Sequence, residues 1–144
     1  MGTSSDVVKA RYMDIEQIEQ SLPNGFHDAY LTRFAMNLVV RDVELSLNVL
    51  IADDDHPRAE RYGSSKLTLH DYAVVTLEPA VAYREIKRGE GLEVDRVRLS
   101  EEDYRALREA GYEIPAGNFW LALFVYSWNS RIIINARDAT LEFV

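Results

Sequence analysis

The sequence predicts a β-rich α+β domain: a mostly antiparallel twisted sheet or sandwich, with one short N-terminal helix and one helix near residues 100–110. Three observations carry this expectation. Residues 29–40 and 43–51 alternate apolar and polar side chains with period two, which sets one side chain on a core and the next in water. Residues 119–126 are apolar on both sides, as in a strand covered on both faces. Extended segments outnumber helical ones and their joins are short, which favours antiparallel pairing.

The elements follow in chain order. Residues 1–8 carry no pattern and are expected to be a flexible N-terminus, leaving 9–144 as one domain. Residues 14–22 read as a helix, with Asp14 as cap, Gln17 three residues on, and Ile15, Ile18 and Leu22 on one face. Pro23-Asn24-Gly25 stops it. In 29–40, Phe34, Met36, Leu38 and Val40 are expected to point one way; in 43–51, Val43, Leu45, Leu47, Val49 and Ile51 do. Only Arg41-Asp42 separates the two runs, which implies a hairpin; lacking Asn-Gly, its turn is longer or bulged.

Residues 52–58 read as a loop, 66–70 as a strand that bends at His70-Asp71, and 72–77 as its continuation or a re-paired strand. Residues 81–87 read as strand or loop, 88–91 as a turn and 92–99 as a polar edge strand. Ser100 with Asp103 forms a capping box for the second helix, with Glu101 to Asp103 placing negative charge on its first turn. Gly111 ends it. The strand at 119–126 turns at Trp128-Asn129-Ser130 into strands at 131–136 and 139–143.

Composition narrows the function classes. The chain has no cysteine, which removes disulfides, thiolate metal sites and cysteine nucleophiles. With 24 acids against 16 Lys and Arg, the formal net charge is −8. A nucleic-acid or anionic-membrane binder needs clustered cations, so neither partner is expected, whereas a basic protein partner suits the charge. The longest apolar run is eight residues, far short of the about 20 that cross a bilayer. No signal-peptide pattern opens the chain, so a cytoplasmic location is the simplest expectation. Exposed sheet edges leave a homodimer open.

No motif identifies a catalytic residue, a metal set or a cofactor. Asp53, Asp54 and Asp55 with His56 form the densest acidic cluster. EF-hand spacing fails, because Arg58 stands where Gly is needed and Ser64 where Glu is needed. A solvated loop is the plainer role. His27-Asp28 stands where the first helix hands over to the first strand. It reads either as a ligand or hydrolase site, or as structure, with Asp28 capping backbone N–H groups. Trp120, Phe124, Tyr126 and Trp128 alternate on one side of the last long strand, lining either a cleft or the core. Trp128, beside a turn, is the member expected to be exposed and to anchor a partner.

The stretch Gly25-Phe26-His27-Asp28-Ala29-Tyr30-Leu31 resembles the opening of small bacterial β-rich proteins with no established activity, in which G-F-H-D-A-x-L precedes a long hairpin. Trp128-Asn129-Ser130, the strand after it and Ala136-Arg137-Asp138-Ala139 are similar to their closing pattern. Some of these proteins are distantly similar to immunity proteins of bacterial toxin systems. The resemblance implies a small, acidic, non-enzymatic binding protein and transfers no functional residue. Two expectations result: a protein-binding, immunity-like module acting through Asp53 to Asp55 and Trp128, or a small-ligand binder or hydrolase using His27-Asp28.

Overall fold

The computed structural model describes residues 14–52, 61–80 and 91–144. Its elements are α1 (Ile15–Gln20), β1 (Ala29–Asn37), β2 (Asp42–Ala52), β3 (Arg61–His70), β4 (Val74–Leu77), β5 (Leu92–Val97), α2 (Glu101–Glu109), β6 (Phe119–Val125), β7 (Ser130–Ala136) and β8 (Asp138–Phe143). The strands form one eight-stranded sheet in the order β4-β7-β6-β5-β1-β2-β3-β8. Every pairing is antiparallel. The β-rich α+β expectation is met as one antiparallel sheet with two short helices; no second sheet is present among the described residues.

The sheet curls on itself. β3 and β8 lie at one end of the strand order, β4 and β7 at the other. Yet only residues 71–73 separate β3 from β4, and Arg137 alone separates β7 from β8. Hydrogen bonding continues through both bends. The Arg137 N–H donates to the His70 carbonyl (3.0 Å) and the Ala73 N–H to the Asn135 carbonyl (2.9 Å). The two ends therefore meet at this corner, where the bend expected at His70-Asp71 places Asp71 at φ 53°.

The enclosed face is apolar. Val43, Leu45, Leu47 and Val49 of β2 share one buried cluster with Leu67 and Leu69 of β3, Leu121 and Leu123 of β6, and Ile132 and Ile134 of β7. α1 adds Ile15 and Ile18 to that cluster, followed by Leu22 and Phe26. Its short length is offset by the capping box: the Gln17 N–H donates to Asp14 Oδ1 (2.9 Å), and the Asp14 N–H donates to Gln17 Oε1 (3.1 Å).

The β1–β2 turn is longer than Arg41-Asp42. Asn37 Oδ1 accepts from the Val39 and Val40 amides at 3.0 and 3.2 Å, so the side chain starts the turn early. Leu38, Val39 and Val40 become a hairpin tip, 73%, 91% and 58% exposed, and Leu38 and Val40 do not face the core. β5 was expected at a polar edge. It lies instead between β1 and β6, with Val94 and Asp95 buried. Its charges are tolerated there because distant partners neutralise them: Arg96 donates to Glu19 (2.7 Å) and Glu16 (2.8 Å) on α1.

No residue of α2 is buried. Tyr104 rests edge-on against Trp120, with ring centroids 6.3 Å apart. Ions do most of the fastening: Arg131 on β7 donates to Asp103 (2.8 and 2.9 Å) and to Glu78 (2.8 and 3.0 Å). The Arg131 guanidinium, helped by the Ser100 amide, holds Asp103 far below the usual carboxylate range, and Arg131 also lowers Glu78. Both depressed carboxyls contribute stability that is present above about pH 4 and lost as pH falls through their folded values. Arg131→Met is expected to destabilise the fold by about 2 kcal/mol, a figure discounted for partial solvent exposure. It should also flatten the acid limb of stability below about pH 4; chemical denaturation at stepped pH measures both.

The loop with Asp53, Asp54, Asp55 and His56, the segment 81–90 and the N-terminal residues 1–8 lie outside the described residues.

Candidate functional site

The site begins at the turn between α1 and β1. Gly25 takes φ 54°, and a Cβ there would sit 2.7 Å from Glu19 Cγ. This tight turn sends Phe26 fully into the core. The His27 N–H donates to the Asn24 carbonyl (3.0 Å), and Asn24 Nδ2 donates back to the His27 carbonyl (3.3 Å). With its backbone fixed and Phe26 pointing inward, His27 faces outward, its side chain 62% exposed. Asp28 takes the left-handed conformation at φ 56°, a region in which Asp and Asn are enriched among residues other than Gly.

β5 supplies the other half. Ala29 pairs with Val94, so Asp95 arrives beside His27 and Asp28. Asp95 Oδ1 accepts from His27 Nδ1 (2.6 Å) and from the Asp28 N–H (2.9 Å). Its other oxygen accepts from the Tyr126 hydroxyl. Three donors, two from the turn before β1 and one from the residue after β6, thus converge on one buried carboxylate. The second ring nitrogen, His27 Nε2, lies 3.3 Å from Asp28 Oδ2.

The charges follow from this geometry. The hydrogen bond to Asp95 raises the His27 pKa, reinforced by the charges of Asp95 and Asp28. Burial alone would raise Asp95. The Tyr126 hydroxyl, the Asp28 amide and His27 together outweigh burial and hold it below its usual value. Tyr126 is pushed up to about 12 by the same carboxylate. Glu93, two residues before Asp95, is raised by burial and then by the adjoining Asp28 carboxylate.

A cavity of about 270 Å³ opens beside the cluster, between α1 and β5, and is lined by Glu19, Asn24, Gly25, His27, Asp95 and Arg96. His27, Asp28 and Asp95 each bring a ligating atom within 4.8 Å of the others. Asp95 on Nδ1 fixes the imidazole's orientation, as carboxylates do behind metal-bound histidines. Acyl-transfer chemistry has no support: no serine or threonine hydroxyl contacts His27 among the described residues, and the carboxylates favour its protonated form over a general base.

The structure thus joins His27 to Asp28 and adds Asp95 and Glu93, which the sequence does not single out; Tyr126, expected only as one of an aromatic row lining a cleft or the core, joins them through its hydroxyl. Alternation within 92–97 marks Glu93 and Asp95 as one face of a strand; which strand lies next to it is not written in that pattern. Trp128 is only partly exposed. It packs on the core and lines a different cavity, against the expectation of an exposed anchor. His70 is structural, with Nδ1 3.3 Å from Asp42 and Nε2 3.1 Å from the Thr140 hydroxyl. Comparison with protein-family models, with curated proteins and with solved structures finds no match to this chain.

Proposed function

We propose that the chain is a non-enzymatic ligand-binding protein whose site is the His27–Asp28–Asp95 cluster and whose ligand is a divalent cation. The observation that carries this reading is the pairing of His27 Nε2 with Asp28 Oδ2 at 3.3 Å, while Asp95 holds the opposite ring nitrogen. That spacing suits two donors of one ion at bond lengths of about 2.1 Å. Glu93, beside Asp28, offers a further carboxylate. One imidazole with carboxylates favours zinc or manganese over calcium.

Calorimetric titration with Zn²⁺ tests the reading. One equivalent is expected to bind, with proton release, because His27 and Glu93 both hold protons above their ordinary pKa values. Affinity should therefore rise between pH 5.5 and 7.5. His27→Ala and Asp28→Asn should each abolish binding, while His56→Ala should keep it. Unchanged binding in His27→Ala, or no binding at pH 7.5, refutes the proposal.

A second reading, a protein-binding module of the immunity type, is favoured by the apolar tip Leu38-Val39-Val40 on an acidic chain. The tip is held rigid at its base: the Arg41 guanidinium donates to the Tyr72 carbonyl (2.8 and 3.2 Å) and lies over the Tyr72 ring. Co-expression with the product of the adjacent gene tests it. Val39→Asp should abolish protection from that product without lowering Tm; full protection by Val39→Asp counts against it.

A further inference from the structure

A cation at the His27 cluster is only partly enclosed by this chain. Asp95 is already committed: Oδ1 accepts from His27 Nδ1 and from the Asp28 N–H, and Oδ2 accepts from the Tyr126 hydroxyl. The donors left for an ion are His27 Nε2 and Asp28 Oδ2, 3.3 Å apart, with the Glu93 carboxyl next to Asp28. A structural zinc ion takes four protein donors in a tetrahedron. Even with Glu93 counted, one chain falls short of that number.

The two outward donors stand on open surface. The His27 and Asp28 side chains are 62% and 46% exposed. Both sit on the turn before β1, whose backbone is held by the paired Asn24 and His27 hydrogen bonds. A rigid, outward pair of this kind can meet its own image across a two-fold axis, where each copy offers the same patch. One histidine and one aspartate from each copy make up a tetrahedral set with no donor left over.

We infer that the ion is shared: the cluster is a zinc-dependent docking surface for a second copy of this chain, with His27 and Asp28 of both copies on one ion. The inference rests on the cation reading above and names the partner that completes that site. Charge makes the contact depend on the metal. Asp28, Glu93 and Asp95 adjoin one another on this patch, and the chain carries a formal charge of −8. Two such patches repel each other unless a divalent cation lies between them. The chain is therefore single without metal.

Sedimentation velocity across a Zn²⁺ titration reads the mass, and calorimetry on the same samples reads the stoichiometry. The mass of one chain is expected without metal and that of two chains at half an equivalent. In excess zinc the mass should return to one chain, because each copy then takes its own ion and water fills the remaining positions. EDTA should also dissolve the dimer. His27→Ala should stay single at every ratio, whereas His56→Ala should dimerise like the unsubstituted chain. One equivalent of zinc bound with the mass of a single chain throughout overturns the shared ion and leaves the cation reading standing; no zinc bound overturns both. A dimer that persists in His27→Ala, or a mass that climbs beyond two chains, also overturns the shared ion. Should His27→Ala not fold, the return to single chains in excess zinc gives the same test on the unsubstituted chain.

Discussion

Alanine at Phe26 is expected to lower the unfolding free energy by about 3–5 kcal/mol, the usual range for a fully buried phenylalanine. Phe26 is completely shielded from solvent and joins Ile15 and Ile18 of α1 to the core strands. Little in the vicinity can collapse into the space, because α1 is only six residues long and is tied to β5 through Arg96. At this chain length the loss corresponds to a fall in Tm of about 10 °C. The effect reaches the candidate site through the adjacent residue. His27 points outward because Phe26 points inward, so Phe26→Ala should also bring the raised His27 pKa down toward its ordinary value. Urea denaturation measures the first effect and an NMR pH titration the second. Phe26→Leu, which refills most of the volume, should cost about half as much and leave His27 raised.

The second large effect belongs to Asp95. Asp95→Ala strands the Asp28 amide, the Tyr126 hydroxyl and His27 Nδ1 at a buried position. Donors left without partners there cost about 1–3 kcal/mol each, with water able to repair the exposed ones, so the expected total is about 3 kcal/mol. The pH dependence has two opposite limbs. His27, with a raised folded pKa, contributes stability that is complete below its unfolded value and is lost as pH rises through the folded one. Asp95, with a depressed folded pKa, contributes stability present above about pH 4 and lost as pH falls through its folded value. The pair is thus worth most between these limits, and Asp95→Ala should remove that mid-pH advantage. The same substitution should return Tyr126 from about 12 toward the ordinary tyrosine range, visible as phenolate absorbance at lower pH.

Local rules carried much of the fold. The capping boxes at Asp14-Gln17 and Ser100-Asp103 are each complete. Strict alternation in β2 sent Val43, Leu45, Leu47 and Val49 to the core as its period requires. The failures came where a distant partner overrode a local signal. Residues 92–97 look like an edge because they carry charges, yet those charges are met by α1 and by His27, between 68 and 80 residues away in sequence. Leu38 and Val40 continue an apolar alternation that the Asn37 side chain ends by hydrogen-bonding the turn amides. The curl of the sheet depends on two short bends, at 71–73 and at Arg137, whose effect follows from which strands they join.

The candidate site divides in the same way. His27-Asp28 stood out in the sequence as an adjacent pair at an element boundary. Asp95 and Glu93 did not, and Tyr126 stood out only as one of an aromatic row, because their roles follow from the β1–β5 and β5–β6 pairings. Groups contributed by one turn, by β5 and by the residue after β6 have no linear spacing to recognise.

Nitrogen-15 NMR of the His27 ring, with and without Zn²⁺, probes the core of this account at the two atoms concerned. The geometry predicts that Nδ1 stays protonated and bonded to Asp95 throughout, that the ring's titration midpoint lies above the ordinary histidine value, and that Zn²⁺ moves the Nε2 resonance alone. An imidazole that titrates at the ordinary value, exchanges freely between tautomers and ignores the metal would contradict it.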